Sequence, residues 1–92
     1  MTESVSIEGR ITIESSNEMR RKLRMVLRSK PAQLTVDLSG ATYMDTSAVA
    51  TLLEAARIAR GQGTRLVLGG LQGQPAHVFE LSLLRPLFEI AD

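Results

Sequence analysis

Asp45-Thr46-Ser47 is the place in this chain where residue type and spacing suit chemistry. The triplet follows a short β-rich run, Leu34-Thr35-Val36-Asp37-Leu38, and a Ser39-Gly40 break, and helical periodicity begins at Thr46. Asp45 or Thr46 can cap the free backbone N–H groups of that helix, and Ser47 falls in its first turn, where the positive end of the dipole tolerates an anion. The chemistry on offer is acceptance of a phosphoryl group, which adds about −1.5 to −2 charge. A chain of net charge +1 would become negative. If that charge falls inside a partner's contact, a loss of ~3 kcal/mol is on the order of a hundredfold in affinity. The spacing is equally compatible with a plain capping hydroxyl.

Other chemistries lack their parts. A nucleophilic triad would need Ser47, the single His77 and Asp37 or Asp45, but Ser47 has no Gly-x-Ser-x-Gly surroundings and His77 sits beside Pro75-Ala76 near a helix start. One histidine and no close carboxylate cluster argue against a metal site. Gly69-Gly70-Leu71-Gln72-Gly73 lies between a strand and a helix, yet it matches neither the Walker lysine pattern nor the dinucleotide fingerprint, so it reads as a turn. No cofactor is expected, and the chain reads as a non-enzyme.

Composition narrows the class further. The 92 residues fit one domain over 1–92, and 43% apolar content with three aromatics and no Trp implies an aliphatic core rather than a base-stacking platform. Nucleic acid is therefore not an expected partner. The absence of cysteine removes thiolate chemistry, and no secretory pattern or run of about 18–20 apolar residues is present. The expectation is a cytoplasmic protein with no direct membrane insertion. Six of the eleven basic residues, Arg20, Arg21, Lys22, Arg24, Arg28 and Lys30, crowd one segment. They read as the solvated face of an amphipathic helix, with an anionic-surface site as the functional alternative.

The elements that must position the triplet follow from periodicity. Val5, Ile7, Ile11 and Ile13 alternate around Gly9-Arg10, which predicts an opening antiparallel hairpin at a sheet edge. Ser15-Ser16-Asn17-Glu18 is a capping-box signature for a helix over about 16–29, ended by Lys30-Pro31. Strand 34–38, a helix from Thr46 to Gly61, strand 65–68 and a helix opened near Pro75 then alternate, which implies right-handed crossovers and parallel pairing. The expected architecture is α/β, a mixed sheet of four to five strands backed by helices.

At about 100° per residue, Val49, Leu52, Leu53, Ala56 and Ala59 form the buried stripe of the helix that begins at Thr46. Ser47, Ala50, Thr51, Glu54, Ala55 and Ile58 then project away from it. A surface combining a hydroxyl, small side chains and Ile58 suits docking, so Ala48, Ala50, Thr51, Glu54 and Ile58 are the expected partner-binding residues around Ser47.

Val36-Asp37-Leu38-Ser39-Gly40, Tyr43-Met44-Asp45-Thr46-Ser47-Ala48, the long helix and Leu81-Ser82-Leu83-Leu84-Arg85-Pro86-Leu87-Phe88-Glu89-Ile90 together resemble the STAS domain of bacterial anti-sigma factor antagonists. The resemblance covers nearly the whole chain, with Gly9-Arg10-Ile11-Thr12 resembling the family's opening turn. It implies a STAS-like single domain in which Ser47 is phosphorylated by a serine kinase that is also an anti-sigma factor. The unphosphorylated form would bind that partner, the phosphorylated form would release it, and a PP2C-type phosphatase would reset the cycle. Asp45 and Thr46 would support the phosphosite. Thr12 stands where the family commonly has Asp, and Ala48 where a glycine usually follows the serine, which points to a divergent partner. Small STAS proteins that serve as subunits of bacterial ABC lipid transporters, binding the ATPase, are similar too; Asp45-Thr46 fits them, whereas Ser47 favours the antagonists.

Overall fold

Leu34 and Val36 are fully buried while the alternate residues Gln33, Thr35 and Asp37 are half-buried, so the strand they build turns one face into the core. This strand belongs to a chain that runs β1 (Thr2–Ser6), β2 (Gly9–Ile11), α1 (Ser16–Leu27), β3 (Gln33–Asp37), β4 (Ala41–Met44), α2 (Thr46–Gly61) and β5 (Arg65–Gly69). It continues through α3 (Gly73–Leu81), a 3-10 turn (Arg85–Leu87) and β6 (Glu89–Ile90). The computed structural model describes residues 1–91. The α/β class is as expected, and its helices back the sheet.

Two strand sets carry the fold. The larger sheet has the order β1-β3-β5-β6, and β2 pairs with β4 in a separate ribbon. Every pairing among the described residues is parallel. The opening hairpin and the mixed sheet are therefore corrected: β1 runs beside β3, with Val5 opposite Val36, and β2 runs beside β4, with Ile11 opposite Met44. Gly9, the first residue of β2, takes φ +80° and sends the chain from the first sheet into the second rather than back along β1. Ile13, expected to face inward with Ile11, lies beyond the end of β2 and is 72% exposed.

Parallel partners need crossover connections. Helix α1 links β2 to β3, and α2 links β4 to β5. Leu23 and Leu27 of α1 join Val49, Leu52 and Ala59 of α2 over Leu34, Val36, Leu66 and Leu68 of the sheet, forming one aliphatic core. Phe79 of α3 closes the far end by an edge-to-face contact with Phe88, centroids 5.2 Å apart. Helix α1 stops at Leu27, earlier than 29, and Lys30 follows with φ 49° before buried Pro31. Its capping box is not formed by Ser15. That hydroxyl instead accepts from Thr12 N at 2.9 Å and donates to Arg10 O at 3.1 Å, locking the turn before the helix.

Candidate functional site

Asp45 is the N-cap of α2 in extended backbone, and its side chain meets the orphan donors of the first turn. Its Oδ1 accepts from Ser47 N at 3.0 Å, from Ala48 N at 3.2 Å and from Ser47 Oγ at 2.5 Å. Its Oδ2 accepts from Ile13 N at 3.1 Å, so one carboxylate ties α2 to the segment leaving β2. The Ser47 hydroxyl bond is the main cause that holds the Asp45 pKa below its ordinary 3.8, with the backbone donors adding to it and desolvation opposing. A carboxylate held that acidic is a weak proton acceptor near neutral pH.

Two strands and one distant helix fix where Asp45 stands. Asp45 N donates to Ile11 O at 3.2 Å, which extends the β2–β4 ribbon to the cap. Gln74, in the first turn of α3, brackets Met44 from the other side: Met44 N donates to its Oε1 at 2.8 Å and its Nε2 donates to Met44 O at 2.9 Å. The sequence offers no signal for Gln74, because the contact joins residues 30 positions apart. The glycine-rich turn is likewise spent on packing. Gly70 has φ +74°, and a Cβ there would lie 2.7 Å from Ser39 N.

Ser47 is half-buried, with its hydroxyl on Asp45 and its carbonyl accepting from Thr51 Oγ1 at 2.9 Å. Thr46 and Ala50 are exposed. The rest of the expected docking face is wholly or partly covered. Ala48 and Thr51 are buried, at 0% and 1% exposure, as is Ala55. Glu54 and Ile58 are half-buried where α2 meets α1: Arg20 Nε donates to Glu54 Oε2 at 2.6 Å, Arg24 pairs with Oε1, and both arginines hold the Glu54 carboxyl below its ordinary value. The physical reason is that α2 has two covered sides, the sheet and α1, so its buried arc is wider than an apolar stripe alone predicts. Small and hydroxyl side chains fill the side against α1.

The same ion pairs account for part of the basic run. Arg20 and Arg24 serve Glu54, and Lys22 Nζ donates to Ser6 O at 3.0 Å, leaving Arg21, Arg28 and Lys30 exposed without such a bond among the described residues. His77 lies exposed on α3. The feature that periodicity missed is Ile13, an exposed branched side chain whose backbone is bonded to the capping carboxylate. On the β2–β4 ribbon, Arg10 places its guanidinium 4.3 Å from the centre of the Tyr43 ring.

The family model described as "Mlab, STAS domain" matches residues 2–88. The chain belongs to the STAS family. Solved STAS folds superpose on it with little sequence identity. The anti-sigma factor antagonist SpoIIAA in its unphosphorylated form is 19% identical, with 97% of this chain and 78% of that one covered and a TM-score of 0.78. A sulfate transporter family protein from Wolinella succinogenes gives 16%, 97%, 75% and 0.78, respectively. The SulP transporter STAS domain from Vibrio cholerae gives 14%, 97%, 71% and 0.70. STAS domains are protein-interaction domains, and members of the family are typically non-enzymatic regulators. No helix among the described residues is long and apolar enough to cross a membrane.

Proposed function

We propose that this STAS domain is an anti-sigma factor antagonist, a cytoplasmic docking protein that binds a serine kinase/anti-sigma factor and is switched by phosphorylation at Ser47. The observation that carries the reading is Ser47, half-buried in the first turn of a well-capped helix, with its hydroxyl 2.5 Å from the Asp45 carboxylate. Phosphorylation removes the donated hydrogen bond and sets a phosphate of about −1.5 to −2 charge against that carboxylate, so the side chain must turn outward. The scaffold beneath does not have to unfold, because Asp45 still holds two backbone N–H groups of α2 and the N–H of Ile13. Outward rotation places the new charge beside Thr46 and Ile13, where a partner would lose an apolar contact. A PP2C-type phosphatase would restore the alcohol.

The test is phosphoryl transfer by the cognate serine kinase with ATP, followed by mass spectrometry. One phosphate at Ser47, lost in Ser47→Ala, is expected. Labelling at Thr46, or none, overturns the switch. A second reading is supported by the description of the matching family: a subunit of an ABC lipid transporter bound to its ATPase. In that case Thr46 and Ser47 act as unmodified contact hydroxyls. Stable co-elution with an ATPase that tolerates Ser47→Ala and needs no kinase distinguishes it.

A further inference from the structure

Away from Ser47, the solvent side of α2 leads into a groove of about 200 Å3 lined by Leu53, Ala56, Arg57, Arg60 and, across from them, Leu87 of the 3-10 turn. That volume is below the roughly 300 Å3 at which small-molecule sites begin, and suits an anchoring side chain better. Its rim is unbalanced in charge. No carboxylate among the described residues pairs with Arg57 or Arg60: Glu54 is taken by Arg20 and Arg24, and Glu89 by Arg65, whose Nε lies 2.8 Å from Glu89 Oε1.

The connection that delivers Leu87 carries an independent sign of contact. Leu83 follows the Ser82 cap of α3 with φ 62°, a left-handed position that glycine usually fills at a helix end, and its side chain is 87% exposed. Leucine here adds backbone strain and buries almost nothing, so folding gives no reason for it. Leu81, 68% exposed, and Leu87, 45% exposed, flank it in sequence.

We propose that the groove between α2 and the 3-10 turn, together with the strained Leu83 before it, is a docking surface for an acidic segment of a partner protein bearing leucine or phenylalanine anchors. Carboxylates of the segment would meet Arg57 and Arg60 while an anchor enters between Leu53 and Leu87. The inference rests on this being a docking domain, and it needs no modification of Ser47.

The probe is a phage-displayed library of short random peptides selected on the full chain, with an Arg57→Glu/Arg60→Glu variant as counter-target. Enriched peptides should combine Asp or Glu with Leu or Phe and bind the unmodified chain about tenfold better than the double variant. Their amide shifts should centre on Leu53, Ala56 and Leu87. Leu83→Gly should weaken them severalfold while its Tm stays level or rises, which separates lost contact from lost folding. Several results overturn the proposal: no enrichment, basic or uncharged consensus peptides, shifts centred on α1 or Asp45, or Leu83→Gly binding normally. So does sedimentation showing a self-association that the double variant abolishes, since a second copy would then fill the groove. Peptide affinity should be indifferent to Ser47→Asp, so failure here and failure of the switch are read separately.

Discussion

A single carboxylate, that of Asp45, accepts from four donors and joins the start of α2 to the chain leaving β2. Removing it in Asp45→Ala should cost about 1 kcal/mol, the usual price of an N-cap side chain, measured as a shift of the urea midpoint. Asp45→Asn keeps a capping oxygen and isolates the charge. Because folding lowers the Asp45 pKa from 3.8, the charged cap stabilises the native state above that value, and the contribution fades as pH falls through the lower folded-state value. The stability gap between the natural chain and Asp45→Asn should therefore be full at neutral pH and close on acidification below 3.8; a gap that widens in acid contradicts the assignment. This cap was legible in the sequence because capping is local, an acid placed two and three residues before the amides it meets. Ile13 was not legible, since alternation with Ile11 says nothing about where β2 stops.

At the scale of elements, the seam between α1 and α2 decides what α2 can show to a partner. Leu23, Thr51, Ala55 and Ile58 meet there with no room for a water molecule, and Glu54 clamps the rim through Arg20 and Arg24. Exposed ion pairs of this kind contribute only about 0.2–1 kcal/mol each, so packing carries the seam. Ala55→Leu should then lower stability by about 1–3 kcal/mol in urea unfolding, as overpacked sites do. Were Ala55 on an open face, the change would stay within about 0.5 kcal/mol. The helices themselves were readable from period and caps, but the seam was not, because Thr51 and Ala55 look like surface residues until a second helix covers them. Pairing was hidden for a related reason. The alternation of Val5, Ile7 and Ile11 fixes which side faces the core and is silent on whether the neighbour is antiparallel or parallel. Strand β4 escaped notice because Ala41-Thr42-Tyr43-Met44 is only one pleat and a half between a glycine and the cap.

Across the whole molecule, the contacts that position the site gather where the strands β3, β4 and β5 end, the edge at which open parallel sheets place their functional loops. Asp37, at the end of β3, accepts from Ser39 N at 2.9 Å; Gln72 Nε2 reaches Ser39 O at 3.2 Å; Gln74 grips Met44; and Asp45 holds Ile13. Segments far apart in sequence thus share one small region, and Gly70 is its tightest point. Its φ of +74° and the 2.7 Å that a Cβ would leave to Ser39 N exclude any side chain without movement of the turn after β3. Gly70→Ala combines left-handed strain of about 1–3 kcal/mol with that clash, so a loss above about 2 kcal/mol is expected in thermal or urea unfolding. Ser39 leads through Gly40 directly into β4, so relief of the clash should be transmitted to Met44 and the cap, and hydrogen exchange at Ser47 and Ala48 should quicken more than at Leu23 in α1. Uniform quickening would mean that the mutation acts through global stability alone, and unchanged stability would show that the turn can step aside without disturbing the site.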